Sequence, residues 1–95
     1  MRFEWDRANR EHIARHGVSV GEVEQVIEEK PYHLSLDVRS AEIRVSVIGP
    51  TTTNRILFVA FTARGDRIRV VTARPANRKE RRKYAEYLNP PKSRR

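Results

Sequence analysis

The chain contains no cysteine. That excludes a disulfide framework and a thiolate zinc site, and it fits a cytoplasmic setting where thiols stay reduced. No apolar run approaches the roughly 20 residues that a membrane-spanning helix requires, and no leader pattern opens the chain; no membrane contact is expected. There is no glycine-rich loop of the kind that cradles nucleotide phosphates, so no cofactor is expected. The carboxylates are scattered, whereas a two-metal nuclease gathers them. No internal repeat is visible. What is left is one small domain: 95 residues support a single thin core with little stability to spare.

What is abundant is positive charge. The net charge is +8, from 20 Lys and Arg against 12 Asp and Glu. Its distribution matters more than its total. Residues 64–95 hold 12 basic and 3 acidic side chains, whereas residues 1–63 hold 8 and 9. One end of the chain therefore makes a positive field, whose usual partners are phosphates. The plainer reading is a soluble basic surface with a disordered tail.

Phe3, Glu4 and Trp5 suggest a short strand or an anchoring segment. Asp6 is placed to cap a helix over Arg7 to His16, with Asn9, His12, Ile13 and His16 on one face. Gly17 stands where a left-handed residue ends a helix. Ser19 and Glu22 form a capping box for a second helix that turns Val20, Val23, Val26 and Ile27 inward and its glutamates outward, up to Pro31. Tyr32 to Ser40 reads equally as an edge strand or a loop. Ile43 to Ile48 alternates like a strand, and residues 49–54 read as a turn. Ile56 to Thr62 is a buried strand, Arg64-Gly65 a hairpin turn, and Arg67 to Arg74 a last strand closed by Pro75. Asn77 and Glu80 then cap a third helix whose inward stripe is expected to be Arg81, Tyr84, Ala85 and Leu88. The domain is expected to span 1–88, with 89–95 a disordered basic tail.

This pattern predicts an α+β fold: a small antiparallel meander of 3–4 strands, two N-terminal helices and one C-terminal helix. With Arg64-Gly65 as the turn, Thr62 falls opposite Arg67, Ala60 opposite Arg69 and Val59 opposite Val70; Val45 is then set opposite Val59 and Arg44 opposite Ala60. One face carries Ile43, Val45, Val47, Leu57, Val59, Phe61, Ile68 and Val70 and is the core. The other carries Arg44, Ser46, Phe58, Ala60, Thr62, Arg67 and Arg69. A slip of one residue would put arginines in the core. A crowded row of like charges costs stability unless an anion sits among them.

The ordered set of motifs resembles the BrnT toxin family. The matching pieces are FEWD at 3–6, Asn9, ARHGVS at 14–19 before an acidic helix, Glu42-Ile-Arg44 before Gly49, FTARGDRIRVVTAR at 61–74 and NRKERRKY at 77–84, so the resemblance covers residues 3–88. Arg7 stands where proline is common in that family, which changes a helix cap and not the chemistry. The resemblance implies a RelE-like fold and the toxin of a type II toxin–antitoxin pair: a ribonuclease that cleaves RNA and inhibits translation. It also implies a ribbon–helix–helix antitoxin of the BrnA type, and operator DNA bound through the antitoxin complex.

RNA can be cut without metal, because its own 2′-OH is the nucleophile. The protein must take a proton, stabilise the added negative charge and allow the 5′-oxygen to leave. Arginine suits the second task, since its planar fork grips phosphate oxygens and stays charged. Arg44, Arg69, Arg64 and Arg74 are the candidates for that role. Arg67, Arg78, Lys79, Arg82 and Lys83 are candidates for RNA binding. For proton transfer the candidates are His16, Glu80 and Tyr84, although capping explains the first two and core packing the third. His12 and His16 have the spacing of a metal pair, but HIARH has Ile13 where the zincin pattern needs Glu, so no metal site is expected. The rival function is a basic RNA- or ribosome-binding module without catalysis. An inhibitor covering the arginine face is expected to use Phe58 and Ile48 as apolar anchors.

Overall fold

The computed structural model describes residues 2–29, 31–39 and 41–90. In chain order they form β1 (Arg2–Glu4), α1 (Arg7–Arg15), α2 (Val20–Glu28), β2 (Tyr32–Arg39), β3 (Glu42–Pro50), β4 (Ile56–Arg64), β5 (Arg67–Pro75) and α3 (Arg78–Leu88). The sheet has five strands in the order β1-β5-β4-β3-β2. The last four form the antiparallel meander, but β1 runs parallel to β5. The expectation of 3–4 antiparallel strands is therefore corrected to five in a mixed sheet. Both extra strands lie at edges, and each hides its periodicity. Strand β1 is 3 residues long, and a register shift between His33 and Ser35 breaks the alternation of β2. Residues 91–95, most of the expected tail, lie outside the described residues; Asn89 still caps α3, its N–H donating to Ala85 O at 3.0 Å.

All three helices begin with capping boxes: Asp6 with Asn9, Ser19 with Glu22, and Asn77 with Glu80. Each box satisfies two backbone donors that the first turn leaves unpaired. Gly17 has φ +72° and ends α1 in the left-handed conformation. Asn9 has a second task. Its amide Nδ2 donates to Glu4 O at 3.0 Å and to Val70 O at 3.2 Å, which pins α1 to the edge of β5 where β1 stops.

The meander registers differ from those expected by two residues. Arg64 pairs with Arg67, so the hairpin loop is Gly65-Asp66, with Gly65 at φ +61° as its first residue. Thr62 then faces Arg69, Val45 faces Phe61 and Arg44 faces Thr62. An even slip preserves the faces, so the division of residues between them survives. A bulge in β5 places Val71 between Val70, opposite Phe61, and Thr72, opposite Ala60. This is why Arg67 to Arg74 alternates only in part. Gly49 and Pro50 belong to β3, not to the turn that follows. A Cβ on Gly49 would come within 3.2 Å of both Val26 Cγ1 and Pro31 Cβ, so glycine allows α2 to close on the strand.

The core lies between one sheet face and the first two helices. Ile13, Val18, Val23 and Val26 pack on Val45, Val47, Leu57, Val59, Phe61, Ile68, Val70 and Ala73. The opposite face is covered at one end only. There α3 and the segment before it bury Ile48 with Ala76 and Tyr84, flanked by Tyr32, Leu34, Ile56 and Phe58. Of the stripe expected on α3, Tyr84 alone is buried; Arg81 and Ala85 are exposed and Leu88 is 64% exposed. The helix is held by Tyr84, by Tyr87, outside the expected stripe, whose ring lies 5.1 Å from that of Tyr32, and by Arg81, which donates to Ala76 O at 2.7 Å. The expected anchors on this face are likewise corrected, because Ile48 is fully buried and the Arg74 guanidinium sits 4.2 Å above the Phe58 ring.

Candidate nucleic-acid interface

The uncovered end of that second face carries the arginines. Arg44, Thr62 and Arg69 occupy one cross-strand row. Strands lie about 4.8 Å apart, so the two arginine Cα atoms stand about 10 Å apart across a threonine. Both side chains are exposed. The next row adds Arg64 and Arg67, directly paired across the hairpin. Glu4, Glu42, Thr62, Arg64, Arg67 and Arg69 line a recess of about 310 Å³. A second recess, about 140 Å³, adjoins it through Thr62, with Arg44 at its rim and Ser35, Ser46, Ala60 and Val71 among its lining residues. Small residues in the floor let a large anion approach the sheet.

Two of these arginines have acidic neighbours that the charge count conceals. Arg67 pairs with Glu4 at 3.0 Å and Arg69 with Asp6 at 2.8 Å. The Arg69 hydrogen bond is the main reason the Asp6 carboxyl titrates below the ordinary aspartate range. The signal for this lay in FEWD. Phe3 and Trp5 pack against the core while Glu4 turns to the arginine side. Arg44 and Arg64 make no ion pair among the described residues.

Arg74 and Glu80 lie at the covered end. The guanidinium meets the carboxylate through two parallel bonds of 2.8 and 2.9 Å. Glu80 also completes the α3 cap, accepting from Asn77 N at 2.9 Å. The Arg74 bonds are the main cause holding the Glu80 carboxyl below its ordinary range, and the same pairing raises Arg74. Burial pushes the Tyr84 phenol above its ordinary value. Arg78, Lys79, Arg82 and Lys83 are exposed on α3.

His16 is the C-cap of α1 with an exposed side chain, its ring 5.4 Å edge-to-face from His12. His12 turns to β5: its Nε2 lies 3.0 Å from Thr72 Oγ1. It also lines a recess of about 260 Å³ with Ala8, Asn9, Arg69, Val70 and Val71. The structure thus gathers Arg44, Arg64, Arg67 and Arg69, separates them from Arg74, Glu80 and Tyr84, and adds His12. Sequence reading missed His12 because only the strand pairing shows which residue of β5 it meets.

This is a small α+β domain whose main core lies on one sheet face and whose other face is covered by apolar packing at one end and open, with clustered arginines, at the other; phosphates are the usual partners of such a positive field. Comparison with known families narrows that class. The family described as ribonuclease toxin, BrnT, of type II toxin-antitoxin system matches residues 5–80, and the chain belongs to it. A ribonuclease toxin of such a pair has RNA as its substrate and an antitoxin as its partner. No individual curated protein matches the chain. Among the described residues no helix is long and apolar enough to cross a membrane.

Proposed function

We propose that the arginine face is the active site of a metal-independent endoribonuclease that inhibits translation in the cytoplasm. The observation that carries this is the row Arg44–Thr62–Arg69, in which Arg44 and Thr62 border a recess with Ser35, Ser46 and Ala60 while Thr62 and Arg69 line the one adjoining it. Two planar forks on either side of Thr62, once turned to a bound phosphate, match the oxygens of a phosphorane, whose extra charge is what a donor must stabilise. Arg64 and Arg67 take flanking phosphates, and Arg78, Lys79, Arg82 and Lys83 extend the positive surface. In this reading Arg74, Glu80 and Tyr84 fix α3 across the sheet end, and His16 closes α1. The inhibitor is a ribbon–helix–helix antitoxin of the BrnA type, through which the pair reaches operator DNA. Val71, 51% exposed on the arginine face, offers it the apolar foothold that Ile48 and Phe58 do not.

The test is purified protein on single-stranded RNA with excess chelator. Cleavage leaving 2′,3′-cyclic phosphate ends is the expected result. Retarded RNA without cleavage would establish a binding module instead, and cleavage that returns only with a divalent cation would overturn metal independence.

A further inference from the structure

We infer that His12 is the general base of the cleavage, holding its ring in place through Thr72 and taking the 2′-OH proton on the nitrogen left open. This rests on the arginine face being the active site and supplies the proton acceptor that arginine cannot be, since its pKa lies above ~12.

The placement follows from three independent features. The capping box at Asp6 and the two Asn9 bonds fix α1 against β5, so the helix carries His12 to the edge of the arginine face. The bulge at Val71 restores the pairing of Thr72 with Ala60, whose own partner is Ser46, and this puts the Thr72 hydroxyl on the arginine side. The 3.0 Å contact between Nε2 and that hydroxyl occupies one ring nitrogen. No other hydrogen bond to the ring occurs among the described residues; with the ring proton on Nε2, donated to the Thr72 hydroxyl, Nδ1 is the nitrogen that accepts. Arg69 lines the same recess, which places the phosphate grip beside the base.

Imidazole is the side chain whose chemistry suits proton acceptance near neutrality. The charged and titratable groups around it are Arg69 on β5, with Asp6 paired to it, and His16, edge-to-face with the ring at the end of α1. In the step itself Nδ1 takes the 2′-OH proton as the 2′-oxygen bonds to phosphorus. The bond from phosphorus to the 5′-oxygen breaks, and that oxygen takes a proton from solvent. The products are a 2′,3′-cyclic phosphate and a 5′-OH, with no net redox change. The charge on the phosphorane falls to Arg44 and Arg69.

The test is cleavage by His12→Gln and His12→Ala, read beside binding of a 2′-deoxy substrate and the melting temperature. Loss of a positioned base lowers the cleavage rate by about 10²-fold or more, with 2′-deoxy RNA binding and melting unchanged. The rise of rate with pH expected of the native protein flattens in His12→Gln, and added imidazole restores part of the rate of His12→Ala. Thr72→Val, which frees the ring, slows cleavage by a smaller factor. His12→Gln cleaving within threefold of the native rate with the same pH profile would overturn the inference, as would variants that lose rate only because they melt. If Arg44→Ala and Arg69→Ala abolish cleavage while the His12 variants do not, the arginine site stands and the base lies elsewhere. If the native protein makes no cyclic ends, both readings fall.

Discussion

The second sheet face holds arginines at both ends, and the two ends use them in opposite ways. At the covered end Arg74 lies over Phe58 with both arms on Glu80, whose side chain is 12% exposed. At the open end Arg44 and Arg64 are unpaired among the described residues, and the carboxylates beside Arg67 and Arg69 are 41% and 49% exposed. Exposed pairs are weak and give way to a better anion, whereas a part-buried bidentate pair does not. Residue type alone therefore does not mark the site. The depth of the partner carboxylate decides which arginine is structural and which is available. Arg55 belongs with the structural ones, since it bonds Glu22 at 2.9 Å and Gly17 O at 3.0 Å.

The largest test of this contrast compares lysine and alanine at Arg44 and Arg69. If these residues only attract RNA, lysine serves nearly as well, because a screened point charge is enough. If they grip the phosphorane, lysine cannot reproduce two parallel bonds. We expect each lysine variant to lose about 10²-fold or more in the single-turnover cleavage rate, with 2′-deoxy RNA binding changed little, since ground-state phosphate lacks the developing charge. Full-rate cleavage by both lysine variants would move the chemistry away from this end of the sheet.

Why the two ends were not equally legible in the sequence is a matter of range. Caps act over three residues, so Asp6, Ser19 and Asn77 were placed correctly, the last two with their glutamate partners; the Asn9 half of the first box was not read, because Asn9 also fits the helix face. Face assignment needs alternation alone, and it held through a two-residue error in register because a slip of two returns every side chain to its own face. The antiparallel order of the three central strands was legible too, but what depended on the exact pairing or on the edge strands was not. Strand β1 takes its identity from β5 rather than from its own three residues. The bulge at Val71 and the contact of His12 with Thr72 are set by the same pairing. On α3, helical spacing marked a stripe of four where the sheet end has room for Tyr84 alone, because the contact available is narrower than the apolar pattern.

A smaller effect belongs to Glu80. Glu80→Gln keeps a side chain that caps the helix but removes the charge facing Arg74. The expected cost is about 1–3 kcal/mol of stability, since a part-buried cation loses its partner, with cleavage per folded molecule within about twofold, inside the scatter of a neutral substitution. The pH dependence has a definite sign. The folded carboxyl titrates below its ordinary value of 4.5, so its contribution is fully present above pH 4.5 and is lost as pH falls through the lower folded value. Denaturant titrations from pH 7 downward should show native and variant converging in acid. A gap that persists to low pH would mean that the residue acts through packing, and a variant that folds but no longer cleaves would return Glu80 to the chemistry.

The smallest effect separates the two ends most finely, because it asks whether Asp6 does for Arg69 what Glu80 does for Arg74. Asn caps a helix as well as Asp does, so Asp6→Asn keeps α1 and removes only the charge 2.8 Å from the guanidinium. If the carboxylate merely competes with RNA, its removal tightens 2′-deoxy RNA binding by about two- to fivefold at low salt, an advantage that fades as salt screens it. The cleavage rate from the bound complex then stays the same. If instead the carboxylate aims the fork, binding holds and the rate of the bound complex falls. We expect the first result, because both partners of the pair are nearly half exposed, 44% and 49%, and a side chain with that much solvent is held too loosely to set an angle. The second result would mean that the open end is preorganised after all, and that depth of burial is not what divides the two sets of arginines.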